Sequence, residues 1–90
     1  MAIGKLPLTT NPEETFSIII SDQIHEMRQR WNNYGFWTLD VGNYIYGVKL
    51  VTGIFLLSQY AHIPFDMKIA GDVEPTRNNL SDLRVEIYAK

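Results

Sequence analysis

Short segments in which apolar and polar residues alternate constrain the fold of this chain most strongly. A period of two places successive side chains on opposite faces of a β-strand. The predicted strands cover residues 15–21, 24–31, 36–41, 44–51, 65–70 and 83–88. Gly, Asn and Pro between them indicate turns at the spacing typical of sandwiches and barrels. The pattern predicts an all-β fold, a single small β-sandwich or open barrel of about six short antiparallel strands.

A helix across residues 12–31 is the rival interpretation. Asn11-Pro12-Glu13-Glu14 has the N-cap, the first-turn proline and the acidic residues typical of a helix start. Helical spacing also relates Phe16, Ile20, Ile24, Met27 and Trp31. The β-branched run Ile18–Ile20 and the Ser21-Asp22 pair favour strands, because both disfavour a helix interior. Periodicity alone leaves both alternatives open.

The chain has 90 residues, enough for one domain. Residues 1–14 contain Pro7 and Pro12 and are predicted to form an extended N-terminal arm, followed by a single β domain over residues 15–90. The arm carries too few apolar residues for a core of its own, so it is either a flexible terminus or, as we expect, ordered by a neighbouring protein. Removal of residues 1–10 should then leave the rest of the domain folded.

Composition excludes several classes of function. The net charge of −2 weighs against a general nucleic-acid binder, which needs a basic face. The absence of cysteine excludes thiolate catalysis and cysteine-ligated zinc. The longest strictly apolar run, Ile54–Leu57, is far below the roughly 20 residues of a membrane-spanning helix, so membrane insertion is not expected. The 11 aromatic residues exceed what a thin core needs, so some of them should either remain exposed or be covered by a partner.

No motif for catalysis or cofactor binding is present in the sequence. His25 and His62 lack metal-ligand spacing. The segment that starts at Asp72 resembles a calcium loop only weakly, because Arg77 and Leu83 replace its required Gly and Glu. We therefore expect no enzyme activity, no cofactor and no metal.

Two groups of residues are candidates for protein contacts. Arg28 and Arg30 share one face of the predicted second strand, which either faces solvent or docks against an acidic partner. Four aromatic residues cluster around one hairpin and form either the core and its rim or an anchor in a protein interface; they are Trp31, Tyr34, Phe36 and Trp37. The predicted core residues are Phe16, Ile18, Trp31, Trp37, Leu50 and Leu57.

Several short motifs follow one another in a characteristic order. They are Leu6-Pro7-Leu8-Thr9-Thr10, Asn11-Pro12, Phe16, Arg30-Trp31-Asn32, Trp37-x-Leu39-Asp40, Gly47-x-x-Leu50-x-x-Gly53-x-x-Leu56-Leu57-x-x-Tyr60, Pro75-x-Arg77-x-x-Leu80 and Val85 to Tyr88. Over nearly the whole chain this order resembles the baseplate plug family of contractile-tailed phages, of the cyanophage type. The sequence departs from that pattern at Asp22-Gln23, Phe55 and Leu80-Ser81, which affects turns more than the fold.

The resemblance implies a structural virion protein that plugs or connects the central hub of a tail baseplate and has no catalytic role. It implies a protein made in the host cytoplasm that joins a symmetric oligomer in the assembled tail. The implied partners are hub, spike, tail tube or wedge proteins. The residues predicted for these interfaces are Leu6, Leu8, Arg28, Arg30, Tyr34, Tyr60 and Arg77.

Two other functions remain as alternatives. A small ligand-binding β-barrel would need a pocket lined by Trp31, Trp37 or Tyr60 with convergent polar groups. A phage-encoded protein that binds a single host partner would need only one exposed contact surface.

Overall fold

The computed structural model describes residues 2–90, and seven β-strands form its framework. The strands are β1 (Ala2–Lys5), β2 (Glu13–Ile20), β3 (Gln23–Asn32), β4 (Phe36–Val41), β5 (Ile45–Lys49), β6 (Phe65–Ile69) and β7 (Val85–Ala89). A single 3-10 turn, Leu80–Asp82, precedes β7. The all-β prediction is confirmed, and the helix over residues 12–31 is excluded, because that segment forms β2 and β3.

The strands form two antiparallel sheets that enclose one core. The four-stranded sheet has the order β2-β3-β4-β5, and the three-stranded sheet has the order β1-β7-β6. The rings of His25 on β3 and Phe65 on β6 lie 5.0 Å apart between their centroids, which joins the two sheets across the core. The architecture is therefore a small β-sandwich.

The core consists of side chains from both sheets, from the loop between β5 and β6, from the segment after β1 and from the 3-10 turn before β7. Its buried apolar members are Leu6, Leu8, Ile20, Met27, Trp37, Leu39, Val41, Val48, Leu50, Leu56, Leu57, Ile63, Phe65, Met67, Ile69, Leu80, Val85 and Ile87. Of the predicted core residues, Trp37, Leu50 and Leu57 are buried, whereas Phe16, Ile18 and Trp31 are half-buried at its margin. The Trp31 ring packs edge-on against Trp37, with centroids 5.3 Å apart.

A two-residue turn fixes the register of the β2–β3 hairpin. Ser21 and Asp22 have φ values of 51° and 65°, and Ile20 pairs with Gln23 on either side of them. Positive φ at both central residues defines a type I′ turn, whose twist matches that of the flanking strands. The register continues without interruption from Ile20–Gln23 to Glu13–Arg30.

The N-terminal segment, residues 2–11, differs from the predicted arm. β1 pairs antiparallel with β7, and the Leu6 amide continues this pairing by donating to the Val85 carbonyl at 2.9 Å. Leu6 and Leu8 are buried in the core of their own domain. The seven-stranded domain thus includes residues that the sequence alone assigned to a separate arm; Met1 lies outside the described residues.

Buried polar contacts attach the rest of the N-terminal segment to β3. The side-chain amide of Gln29, which is fully buried, donates to the carbonyls of Thr9 at 3.0 Å and Asn11 at 2.8 Å. Its Oε1 accepts from the Thr9 amide at 3.1 Å. Gln29 therefore replaces the strand partner that this irregular stretch of backbone lacks.

Among residues 2–90, no helix has the length and apolar character needed to cross a membrane.

Candidate interaction surface

The side of the four-stranded sheet that faces away from the core, here called the outer face, bears a shallow groove. Alternation along β2 and β3 sends Phe16, Ile18, Met27 and Gln29 toward the core and the intervening side chains outward. The groove has a volume of about 780 Å³. Its outward-facing lining includes Thr15, Ser17, Ile24, Glu26, Arg28, Arg30, Asp40 and Tyr46.

One end of the outer face is apolar. Ile19 and Ile24 lie directly opposite each other at the tip of the β2–β3 hairpin, and they are 73% and 75% exposed. Tyr46 on β5, which lines the same groove, is 72% exposed. Large apolar side chains that share one exposed surface are typical of protein contact sites. The hairpin tip is the strongest candidate for an anchor, and Tyr46 lies farther along the face, at the β5 bulge opposite Asp40.

The other end of the outer face is charged. Nη2 of Arg30 lies 2.9 Å from Oδ2 of Asp40, whose other oxygen accepts a hydrogen bond from the Gly47 amide at 2.9 Å. Gly47 has φ of 77° and lies where the β4–β5 register shifts, so the Asp40 carboxylate satisfies an amide at the bulge. The charge of Arg30 is therefore held above a buried carboxylate.

Arg28 contacts β2, the neighbouring strand on the side away from β4. Its Nη1 lies 3.5 Å from Oε1 of Glu13, and its Nε donates to Oγ1 of Thr15 at 3.4 Å. The side chains of Arg28 and Arg30 nevertheless keep 43% and 47% of their surface exposed. Both guanidinium groups can therefore contact a partner that approaches the outer face.

The other exposed residues predicted for interfaces lie apart from this groove. Tyr34 is 91% exposed at the β3–β4 turn, where the Asn32 side chain accepts a hydrogen bond from its amide at 2.8 Å. Tyr60 is half-buried against the core and lines a second groove of about 320 Å³ beside β5. The structure brings Arg28 and Arg30 together but does not bring either tyrosine to them.

Three residues predicted for interfaces make contacts within the domain. Leu6 and Leu8 belong to the core, because β1 carries the chain across the sandwich. Nη1 of Arg77 donates to the Thr10 carbonyl at 2.7 Å, and its guanidinium lies 5.7 Å from the Trp37 ring centroid. Arg77 thus holds the N-terminal segment against the core. The sequence motif that contains Arg77 did not indicate this contact within the chain.

Of the aromatic residues predicted to line a ligand pocket, only Tyr60 lines either of the two grooves described above. Trp37 is fully buried, and its Nε1 donates to the Thr76 carbonyl at 2.7 Å. Neither of the two grooves is lined by Trp31 or Trp37. Within residues 2–90, no three acidic or histidine side chains are grouped so that they could hold a metal ion.

The sequence pattern contained a signal for the apolar end of the outer face. In a strand, the run Ile18–Ile20 must point one isoleucine away from the core, and Ile24 falls on the same side as Glu26 and Arg28. Tyr46 gave no comparable signal, since its outward direction depends on the bulge at Gly47.

Comparison with known proteins gives one family. The sequence model of the family described as "Cyanophage baseplate Pam3 plug gp18" matches residues 3–90. A search of curated proteins found no match.

Proposed function

Because the chain belongs to the cyanophage baseplate Pam3 plug family, we propose that it plugs or connects the central hub of a phage tail baseplate through protein contacts alone. The observation that carries this proposal is the outer face, with Ile19 and Ile24 exposed at one end and two cross-strand arginines at the other. A baseplate plug is a structural component of the virion tail, and such a role needs contact surfaces rather than a catalytic centre.

The outer face has the composition of a protein interface. Interfaces commonly combine an apolar centre with a polar rim, and tyrosine and arginine are enriched among the residues that dominate binding. Ile19, Ile24 and Tyr46 would supply the apolar contact, while Arg28 and Arg30 would orient an acidic region of the partner. The N-terminal leucines are excluded from this contact because they are buried.

The partners proposed here are the neighbouring baseplate chains. Hub, spike, tail tube and wedge proteins are the candidates for the surface that covers the outer face, and copies of the chain would be arranged symmetrically around the tail. The protein would be made in the host cytoplasm and would carry no cofactor, bind no specific nucleic acid and enter no membrane.

Incorporation into tails tests the proposal. A phage that encodes this chain is deprived of the gene, and variants are supplied from a plasmid during infection. Ile24→Asp places a charge in the apolar contact, and we expect its amount in purified tails to fall at least about tenfold, equivalent to about 1.4 kcal/mol of binding free energy. Quantitative mass spectrometry of the tails measures this amount.

Val73→Asp is the matched control, because Val73 is another exposed aliphatic residue, 55% exposed, outside the outer face. It should enter tails like the wild type, and both variants should keep the wild-type melting temperature. Normal incorporation of Ile24→Asp would reject the outer face as the docking surface. Absence of the wild-type chain from tails would favour the alternative of a protein that binds a single host partner.

A further inference from the structure

The four strand edges of the sandwich differ in how well they are protected against pairing with another strand. Natural sheets protect their edges with short or bulged strands, lysine or proline residues, or covering segments. β1 has four residues, a register shift between Ala2 and Gly4, and Lys5 at its end. β5 has five residues, a register shift in its pairing with β4, and Lys49 at its end.

The remaining two edges, those of β6 and β2, differ in whether another segment covers them. The edge of β6 is covered, since Thr52 and Phe55 form isolated bridges to Ile69 and Lys68. β2 has eight residues, an unbroken register with β3, and neither proline nor lysine. Among residues 2–90, no strand pairs with its outer edge. β2 is therefore the one long, regular and uncovered edge in the described part of the chain, and its only charged residues, Glu13 and Glu14, lie together at one end of it.

The backbone groups exposed along β2 can be assigned. The Trp31 amide donates to the Pro12 carbonyl at 2.7 Å, which makes these two residues a hydrogen-bonded pair. Such pairs alternate along an antiparallel ladder, so Glu14, Phe16 and Ile18 direct their backbone groups toward β3. The amides and carbonyls of Glu13, Thr15, Ser17 and Ile19 consequently point away from the sheet.

The same segment is complementary to itself in the antiparallel direction. With Ser17 opposite Ser17 of a second copy, Thr15 lies opposite Ile19 and Phe16 lies opposite Ile18. Ser17 with Ser17 is a hydroxyl pair, Thr15 with Ile19 is a pair of β-branched residues, and Phe16 with Ile18 is an aromatic–aliphatic pair. Cross-strand pairs of these kinds stabilise neighbouring strands. Glu13 and Glu14 would face Ser21 and Ile20, so no like charges would oppose each other.

From these observations we infer that two copies of the chain pair through β2, antiparallel about a two-fold axis at Ser17, to form one continuous eight-stranded sheet. The exposed backbone groups of Thr15, Ser17 and Ile19 then bond to their counterparts in the second copy. Phe16 and Ile18 are half-buried at the margin of the core. In the pair, each Phe16 packs against Ile18 of the other copy. This pairing does not depend on the proposed role in the baseplate.

A single engineered cysteine tests the pairing, because the chain contains no other thiol. Opposed residues of a hydrogen-bonded antiparallel pair have Cα atoms about 5.5 Å apart, within the range of about 4.4–6.8 Å that disulfides span. Ser17→Cys should therefore form a disulfide-linked dimer under mild oxidation. Ser58→Cys, at an exposed serine outside β2, controls for random collision. We expect at least about tenfold more dimer for Ser17→Cys on a non-reducing gel.

Two further measurements define the register and the energetics. In a mixture of Thr15→Cys and Ile19→Cys proteins, the mixed disulfide should exceed both homodimers, because these positions oppose each other only between copies. Ser17→Pro removes an outward amide without removing a β2–β3 bond. It should raise the dimer dissociation constant in sedimentation velocity more than about tenfold, with an unchanged circular dichroism spectrum.

The inference is overturned if the wild-type chain stays monomeric at millimolar concentration and Ser17→Cys links no better than Ser58→Cys. It is also overturned if a double variant with Ser17→Cys and Thr15→Pro forms disulfide dimers as readily as Ser17→Cys alone. Thr15→Pro removes one of the proposed intermolecular donors, so the dimer should weaken. Failure of tail incorporation, in contrast, would leave these results unaffected.

Discussion

The N-terminal segment and the tip of the β2–β3 hairpin both carry large aliphatic side chains, yet only the first buries them. Leu6 and Leu8 are in the core, whereas Ile19 and Ile24 face outward. The difference arises because β1 pairs with β7 and so carries the following residues between the two sheets. At the hairpin tip, strand alternation gives the inward positions to Ile20 and His25.

This comparison shows that hydrophobicity alone does not identify a contact surface. The apolar residues that looked available for a partner complete the domain's own core, and those that looked like part of a regular strand are exposed. Backbone pairing and strand parity decide the outcome in each case.

Deletion of residues 1–8 should cause the largest loss of stability. It removes two core leucines, each worth about 2–5 kcal/mol, from a domain whose total stability is expected to be about 5–15 kcal/mol. The truncated chain should lack a cooperative urea transition in far-UV circular dichroism. This replaces the expectation that the domain folds without its first ten residues; a wild-type transition midpoint would restore it.

A pair of alanine variants compares the two regions directly. Leu6→Ala should lower the free energy of unfolding by about 2–5 kcal/mol, since it opens a cavity in the core. Ile24→Ala should change it by less than about 0.5 kcal/mol, because the side chain is exposed. Urea denaturation of both proteins measures the difference. Equal losses would contradict the contrast between core and hairpin tip.

Gln29→Ala tests how the N-terminal segment is attached to β3. The change removes the side chain that bonds to Thr9 and Asn11, and it should cost about 1–3 kcal/mol. Hydrogen exchange at the Thr9 amide should accelerate as well. Gln59→Ala, at an exposed glutamine, is the control and should behave like the wild type. Unchanged exchange at Thr9 would show that other contacts hold the segment.

Arg30→Gln should have the smallest effect on folding. Arg30 keeps about half of its side chain exposed, and the buried Asp40 carboxylate would retain its hydrogen bond from the Gly47 amide, so loss of the ion pair should cost less than about 1 kcal/mol. The loss should be largest at low ionic strength and shrink as salt screens the pair. Chemical denaturation at two salt concentrations checks this, with Arg84→Gln as the control for a second exposed pair. A large, salt-independent loss would instead assign Arg30 a structural role in the β4–β5 bulge.

Much of the fold was predictable from the sequence. Each of the six predicted strands is present with bounds shifted by at most two residues, because alternation and turn residues act over a few neighbouring positions. β1 was missed, since its pairing with β7 joins opposite ends of the chain. The site was less predictable. Arg28 and Arg30 were found from their shared parity, whereas the internal role of Arg77 rests on a contact with Thr10, 67 residues away.

The amino-acid order specifies the strands, the turns between them and which side chains share a face, because these follow from local backbone geometry. It also contained the motifs of the baseplate plug family, whose sequence model matches residues 3–90. Contacts within the folded domain, in contrast, set which face of each sheet is covered and which strand edge stays open. Those outcomes depend on contacts between distant segments, such as β1 with β7 and Gln29 with the N-terminal segment, and no local pattern specifies them.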